Sequence, residues 1–253
     1  MKIIVAIKQV PARDSSIRID PAGKWIDSHD LTFEINEPDA YALEAALLLK
    51  EKHGGEVVVL CAGPERATST IREALAKGAD RAILVESENL ESFDTLGVAH
   101  LLARAIRDEH ADLIFTGLQS DDLGLGQTGV VLAEILGIPH ASIIMEVEIQ
   151  GNLLRVKREL EDGWFQWVDM RLPALLTIQS GISKLRYATL MGIKKAKSKE
   201  IRRMQVAGSS DNSAVLDRVY IPTRKKQTQL ITSPPADAAA QLVEVLRSEV
   251  RVL

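Results

Sequence analysis

The sequence predicts an α/β protein with an open, mostly parallel sheet and helices on both faces. Short β-branched runs alternate with amphipathic stretches at nearly regular spacing, which is typical of repeated strand–helix units. The chain has 253 residues, of which 46% are hydrophobic and 26% charged, so it can bury a sizeable core. Its single cysteine, Cys61, excludes an internal disulfide and favours a reducing compartment.

Four strand–helix units account for the first 137 residues. We expect the first helix to follow Asn36 as its N-cap and to end at Gly54-Gly55, and the next to end at Gly78 in a left-handed conformation. Gly137-Ile138-Pro139 stops the fourth helix. The expected strands are 2–8, 56–61, 81–85 and 112–116, and the expected helices are 37–53, 68–77, 93–110 and 126–136.

The pattern changes after residue 140. Three alternating stretches, 143–150, 153–161 and 164–171, predict a β-hairpin insertion, since Asp162-Gly163 is a strong hairpin signal. Residues 172–179 can return to the main sheet. We therefore expect a nucleotide-binding α/β domain over residues 1–190.

The remaining residues, 191–253, predict an extended C-terminal arm. A basic helix follows Leu190, residues 208–213 have the composition of a linker, and Thr232 to Pro235 precede a short amphipathic helix over 236–250. This arm has little core pattern of its own, so we expect it to pack on a partner or a neighbouring subunit.

Basic residues are concentrated in one part of the chain. Residues 184–226 hold 12 basic and 3 acidic residues, which leaves 19 basic and 32 acidic residues elsewhere. A nucleic-acid surface would interleave aromatic residues with the cations, and this stretch has only Tyr187 and Tyr220. The stretch favours docking onto an acidic protein and makes nucleic acid the weakest alternative.

Residues for independent catalysis are few. The five histidines show no metal-ligand spacing, and Cys61 ends a buried strand without a neighbouring base. No Walker loop, dinucleotide fingerprint or nucleophile elbow is present. We expect neither catalytic residues nor a metal site.

No stretch approaches the ~18 apolar residues of a membrane span. The β-rich start does not have the pattern of a targeting peptide, so we expect a cytoplasmic protein.

The glycine-rich segment from Gly117 to Gly129 is the strongest candidate for a ligand site. It holds four glycines in 13 positions, follows a predicted strand and leads into a helix. Ligands in open α/β sheets bind beyond the carboxyl ends of the strands, and a helix N-terminus attracts anions. Gly126 and Gly129 would let the backbone approach a phosphate, and Thr128 would donate a hydroxyl. The alternative is a plain connection capped by Asp122 or Thr128.

Other loops should meet the same edge of the sheet. The first strand ends at Ala6 to Gln9, the second at Cys61 to Pro64, and Asn36 to Asp39 begin the intervening helix. The small residues at these strand ends would let a planar base approach the main chain. Together these loops predict an adenine-nucleotide pocket that is formed largely by backbone.

The sequence resembles the electron-transfer flavoprotein beta subunit over nearly its whole length. The most specific match is Leu172-Pro173-Ala174 followed by Arg186-Tyr187-Ala188-Thr189-Leu190 and the lysine-rich Ala196-Lys197-Ser198-Lys199. Further matches are Val5-Ala6-Ile7-Lys8, Asn36 with Ala42-Leu43-Glu44, Ala62-Gly63-Pro64, Gly78-Ala79-Asp80-Arg81, and Gly117 and Gln119 leading to Gln127-Thr128-Gly129.

The resemblance implies an adenine-nucleotide alpha-hydrolase-like fold and a heterodimer with an alpha subunit that holds most of the FAD. This chain would bind a structural AMP, and its arm would wrap the alpha subunit. Electrons would pass from flavin dehydrogenases, such as acyl-CoA dehydrogenases, to a quinone reductase. The implied AMP contacts are Ala6, Asn36, Glu37, Pro38, Asp39, Ala62, Gly117, Gln119, Ser120, Asp121, Asp122, Leu123, Gly124, Leu125, Gly126, Gln127 and Thr128.

The resemblance also implies a recognition loop for dehydrogenases near residues 178–187. Ile182 takes the place of the usual leucine anchor, and Arg186 and Tyr187 complete the implied docking residues. The stretch Ile182-Ser183-Lys184-Leu185 departs from the family's usual loop. Arg13 and Pro38 stand where aromatic residues often approach the flavin, so the flavin environment is expected to differ.

Two other functions remain open at this point. Bifurcating members of the family bind a second FAD in place of AMP and use NADH, and they typically have a valine where this chain has Thr128. The threonine favours the AMP type. A stand-alone adenine-nucleotide-binding module, with no alpha subunit, is the other alternative.

Overall fold

The computed structural model describes residues 1–87, 90–205, 212–223 and 228–252. The chain divides into two compact units, Met1–Val219 and Tyr220–Leu253. The strands are β1 (Lys2–Ala6), β2 (Gln9–Pro11), β3 (Phe33–Ile35), β4 (Glu56–Gly63), β5 (Arg81–Glu86), β6 (Leu113–Gly117), β7 (His140–Gln150), β8 (Leu153–Glu159), β9 (Phe165–Arg171), β10 (Ala174–Ile178) and β11 (Ile201–Gln205). The helices are α1 (Glu37–His53), α2 (Thr68–Lys77), α3 (Thr95–Arg107), α4 (Thr128–Leu136), α5 (Leu190–Ala196) and, in the second unit, α6 (Pro235–Val245).

One large sheet organises the first unit. Its order within the described residues is β11-β5-β4-β1-β6-β10-β7-β8-β9, parallel from β11 to β7 and antiparallel across β7, β8 and β9. The predicted α/β fold, the hairpin insertion and the return of residues 172–179 to the sheet are confirmed. β2 and β3 form a separate small antiparallel pair, which the sequence pattern did not indicate.

The core has two layers because both faces of the parallel strands are covered. In β1, Ile3 and Val5 pack with α1 and α2 on one face, whereas Ile4 and Ala6 pack with α3 and α4 on the other. Burial on both faces explains why these strands read as nearly continuous apolar runs.

The helix ends follow the glycine signals. α1 ends at Gly54, whose φ of +73° suits a residue without a side chain, and α4 ends at the left-handed Gly137. Gly78 also ends α2 with a positive φ, but at +136° it lies outside the left-handed helical region that we expected.

The first unit continues past residue 190, where we expected the α/β domain to end. α5 packs against α2, and β11 extends the sheet by pairing with β5. The sequence did not predict this strand, because Arg202 and Arg203 favour a solvated surface when they are considered alone. Their acidic partners are remote along the chain. The expected linker at 208–213 lies mostly outside the described residues. The expected helix over 236–250 corresponds to α6 followed by a π-helical turn at Leu246–Val250.

Candidate functional site

The carboxyl ends of β1, β4 and β6 meet at one edge of the sheet, as the sequence predicted. β1 lies between the other two strands, and the chain from β1 enters α1 on one face while the chain from β6 enters α4 on the other. Such a change of direction between adjacent strands opens a crevice at their carboxyl ends. The residues at this edge are Ala6, Ala62, the first turn of α1 and the loop that follows Gly117.

Asp39, in the first turn of α1, connects two of these strand ends. One carboxylate oxygen, Oδ1, accepts the backbone N–H of Gly117 at 2.8 Å, and Oδ2 accepts the backbone N–H of Lys8 at 2.7 Å. The side chain is buried, and burial raises the pKa of Asp39 to about 7, although both backbone hydrogen bonds oppose this shift. We call this arrangement the Asp39 bridge.

Asn36 connects α1 to the glycine-rich loop. Its Nδ2 donates to the carbonyl of Gln119 at 2.9 Å, and its Oδ1 accepts the backbone N–H of Asp121 at 2.8 Å. The residue occupies the N-cap position of α1, but its side chain makes no capping hydrogen bond. The expected side-chain cap is therefore wrong, because the loop competes successfully for both polar atoms of the amide.

Lys8 is a site residue that the sequence analysis did not single out. Its Nζ donates to Asp122 Oδ1 at 2.7 Å and lies 3.5 Å from the Ser120 hydroxyl. Burial raises the pKa of Asp122, but the charge and hydrogen bond of Lys8 outweigh burial and leave that pKa below its ordinary value. The position of Lys8 directly after a strand that ends at this edge was the available signal.

Arg13 lies at the outer side of the same loop. Its guanidinium is ion-paired with Glu37 and lies 3.8 Å from an Asp121 carboxylate oxygen. Arg13 therefore contributes positive charge beside the first turn of α1.

The glycines of the loop have different roles. A Cβ at Gly117 would lie 2.4 Å from Asp39 Oδ1, so the Asp39 bridge requires glycine there. Gly124 and Gly126 adopt φ values of +63° and +65°, which favour glycine. Gly129 is buried, and a Cβ on it would lie 2.6 Å from side-chain atoms of β6 and β10. It allows α4 to approach the sheet, which corrects our expectation that it opens the backbone to a phosphate.

The described residues show no side-chain hydrogen bond that caps the N-terminus of α4. Gln127 occupies the N-cap position and makes no capping hydrogen bond, while Asp122 accepts from Lys8 and from the backbone N–H of Leu123. The alternative in which Asp122 caps this helix is therefore wrong. Uncapped N–H groups at the start of a helix are suited to hold an anion.

Small residues line the neighbouring strand ends. Ala6 ends β1, and Ala62 and Gly63 end β4. Cys61 is fully buried, and burial, followed by the charge of Asp39, raises the pKa of its thiol to about 12. The thiol is therefore neutral near pH 7 and unsuited to nucleophilic chemistry.

Of the three docking residues that the resemblance implied, Tyr187 is exposed, whereas Ile182 and Arg186 are half-buried. Ile182 is half-buried and packs with Leu185 against the core. Arg186 binds Glu44 of α1 with two parallel hydrogen bonds of 2.8 and 2.9 Å and also binds Glu51 at 2.6 Å. Four exposed apolar residues lie just before α5 and in its first turns; they are Tyr187, Leu190, Met191 and Ile193, which we call the α5 patch.

Part of the basic stretch is paired with acidic groups of its own unit. Arg202 binds Glu109, and Arg203 binds Glu65. Lys199 donates to backbone carbonyls at the end of α2. Lys194, Lys195 and Lys197, which follow the α5 patch along the chain, are exposed and add positive charge next to it.

Among the described residues, no cluster of three or more histidine, cysteine or acidic residues is arranged to hold a metal ion. Within the same residues, no helix has the length and apolar character needed to cross a membrane.

Comparison with known proteins identifies the family. Residues 24–209 match the family described as the electron transfer flavoprotein domain. The electron transfer flavoprotein subunit beta of Methylophilus methylotrophus is 36% identical over 97% of this chain and 98% of its own length. The protein of the same name from Bacillus subtilis is 34% identical over 100% of both chains. Protein FixA of Azorhizobium caulinodans is 32% identical over 98% of this chain and 95% of its own. The chain therefore belongs to the electron transfer flavoprotein beta subunit family.

Proposed function

We propose that this chain is the beta subunit of a heterodimeric electron-transfer flavoprotein. It binds a structural AMP and helps to enclose an FAD that is held mainly by the alpha subunit. The heterodimer carries electrons from flavin dehydrogenases, such as acyl-CoA dehydrogenases, to a quinone reductase, and it works in the cytoplasm. The observation that carries the proposal is the convergence of three strand ends and an uncapped helix N-terminus on one edge of the sheet, in a chain of this family.

The residues of this edge fit AMP. The backbone N–H groups that begin α4, with the Thr128 hydroxyl, suit a phosphate, since a helix N-terminus favours negative charge. Ala6, Ala62 and Gly63 leave space for a planar base beside the main chain. Asn36 and Asp39 hold the surrounding backbone in place.

The proposed role in electron transfer is structural. FAD supplies the redox chemistry when it is bound, and the protein supplies orientation and shielding from solvent. We assign no catalytic residue to this chain, and the neutral Cys61 thiol agrees with that assignment. Arg13, at a position where the resemblance implies an approach to the flavin, is ion-paired with Glu37 of α1.

We propose that dehydrogenases dock on the α5 patch rather than on Ile182. The four apolar side chains of the patch are 46% to 93% exposed, and Lys194, Lys195 and Lys197 follow them directly. An apolar centre with a cationic rim suits a partner whose contact surface is apolar and bordered by acids. Arg186 supports this surface from below through its bonds to α1.

Nucleotide analysis tests the proposal. The chain is co-purified with its candidate alpha subunit, the complex is denatured, and the released nucleotides are quantified. One FAD and one AMP per heterodimer are expected. Two FAD and no AMP would favour the bifurcating type, and a nucleotide-bound monomer that ignores the alpha subunit would favour the stand-alone module.

A pair of variants tests the docking surface. Leu190→Ala should slow electron uptake from a partner dehydrogenase, because Leu190 is 86% exposed at the centre of the patch. Leu153→Ala on β8 is the matched control, since it removes another exposed leucine at the far end of the sheet. Equal rates for both variants and the wild type would refute docking through this patch.

A further inference from the structure

The Asp39 bridge uses both carboxylate oxygens inside the protein. Asp39 is 6% exposed, and its two oxygens accept the backbone N–H groups of Lys8 and Gly117. Lys8 follows β1 and Gly117 ends β6, so one side chain fixes the separation of two strand ends. Those ends border the crevice in which we place AMP.

The packing around the bridge leaves little freedom. A Cβ on Gly117 would lie 2.7 Å from Pro38 Cβ and 2.8 Å from the Asp39 backbone nitrogen, so the first turn of α1 touches the end of β6. Beyond Gly117, the Asn36 side chain binds both the Gln119 carbonyl and the Asp121 N–H. The start of α1 therefore sets the path of the first residues of the glycine-rich loop.

We propose that Asp39 is a positioning residue of the nucleotide pocket, whose ionised carboxylate holds the ends of β1 and β6 at the separation that AMP requires. It acts through the backbone of Lys8 and Gly117 and does not contact the nucleotide. This inference rests on the proposed AMP function, and it replaces the direct contact that the family resemblance implied for Asp39.

The ionised form of the bridge titrates near neutral pH. Burial raises the pKa of Asp39 to about 7. A protonated carboxyl group would direct its O–H toward one of the two N–H donors and lose that hydrogen bond. The titratable groups around the bridge are the Cys61 thiol on β4, Lys8 after β1, Glu37 on α1, Asp121 and Asp122 in the loop, and Arg13 beyond them.

The chain offers a matched control at the opposite edge of the sheet. Asp112 precedes β6, and its Oδ2 accepts the backbone N–H of Lys2 at 2.7 Å. It therefore also joins β1 to β6 through one backbone hydrogen bond, but far from the proposed pocket. Asp112→Asn and Asp39→Asn make the same chemical change at the two ends of the same pair of strands.

Calorimetric titration of the heterodimer with AMP at pH 7.5 tests the proposal. We expect Asp39→Asn to weaken AMP binding by about tenfold without lowering the urea unfolding midpoint, because asparagine loses one acceptor but also removes a buried charge. Asp112→Asn should leave AMP affinity unchanged, because the amide oxygen of asparagine can accept the one hydrogen bond that Asp112 accepts from Lys2. Wild-type affinity in Asp39→Asn, or parallel losses of affinity and stability in both variants, would overturn the proposal.

Hydrogen exchange of the unliganded wild-type complex provides a test that needs neither a variant nor AMP. After correction for intrinsic rates, amide exchange in residues 117–128 should rise as the pH falls from 8 to 6, while exchange in β4 should not rise. A flat profile in residues 117–128 would overturn the role of Asp39. Failure of the wild type to bind AMP, with the exchange profile as expected, would refute the proposed function and leave the bridge intact.

Discussion

Side chains at the start of α1 stabilise a distant loop instead of their own helix. The cap pattern around Asn36 predicts the beginning of the helix correctly, because that pattern depends on neighbouring residues only. The partners of the amide are Gln119 and Asp121, more than 80 positions away. A single sequence shows that a polar residue stands at this edge, but it does not show which remote backbone groups the side chain binds.

We expect Asn36→Ala to lower the free energy of unfolding by about 1–3 kcal/mol, because it removes the two hydrogen bonds between the buried Asn36 amide and the loop. It should also weaken AMP binding. Urea denaturation of the purified chain measures the first effect. Gln119→Ala is the control, since the hydrogen bond uses the Gln119 backbone carbonyl, and an equal loss in both variants would contradict the assignment.

Arg186 is predicted to be an anchor of the fold rather than a contact with the partner. Arg186→Ala removes both bonds to the buried Glu44 carboxylate, and breaking such a pair costs about 3 kcal/mol. Tyr187→Ala, at a 93% exposed side chain, should change stability by less than about 0.5 kcal/mol. Denaturation of the two neighbouring variants distinguishes the roles, and an unchanged stability for Arg186→Ala would be the contrary result.

At the scale of elements, strands with local signals were predictable and β11 was not. β4 and β5 are apolar runs that follow helix-ending glycines, and their ends were predicted within two residues. Ile201–Gln205 places two arginines and a glutamine among its five residues, so in isolation its sequence favours a solvated surface. Its place beside β5 depends on acidic partners supplied by other elements, above all by Glu109 after α3.

Glu109 is expected to contribute strongly to the stability of this edge. Its carboxylate binds Arg81 of β5 at 2.5 Å, Arg202 of β11 at 2.8 Å and Lys2 of β1 at 3.4 Å. Glu109→Gln leaves three cations without this partner, so we expect a loss of about 2–4 kcal/mol at pH 7. Glu134→Gln, at an exposed position on α4, is the control.

The effect of Glu109 should depend on pH in one direction. The hydrogen bond from Arg81 outweighs burial and holds the pKa of Glu109 below its ordinary value. The stabilisation is therefore present above about pH 4.3, the pKa of glutamate in an unfolded chain, and is lost as the pH falls through the lower folded-state value. Urea titrations at pH 7 and pH 3 should show the wild type and Glu109→Gln converging in acid.

At the scale of the whole molecule, the sequence predicted the layers of sheet and helices and the sheet edge that holds the candidate site. It did not predict the side-chain contacts that join these elements. The four strand–helix units placed Ala6, Asn36, Ala62 and Gly117 at one edge by topology alone. The second unit was predicted as an arm in need of a partner, and its apolar side chains are exposed; they include Ile221, Leu230, Leu242 and Val252. In the function proposed above, the alpha subunit covers these side chains.

The proposed pocket should make the whole protein more stable in mild acid than in mild base. The pKa of Asp39 is about 7 in the folded chain and about 3.9 in an unfolded one, so the folded state binds more protons between these values and stability falls as the pH rises from 4 to 7. Three pKa units set an upper bound of about 4 kcal/mol. Urea midpoints at pH 5.5 and pH 8 should therefore differ more in the wild type than in Asp39→Asn, whereas Asp112→Asn should keep the wild-type difference. If the wild type and Asp39→Asn show an equal pH dependence, ionisation of the buried Asp39 carboxylate does not lower the stability of the folded protein, and the prediction is wrong.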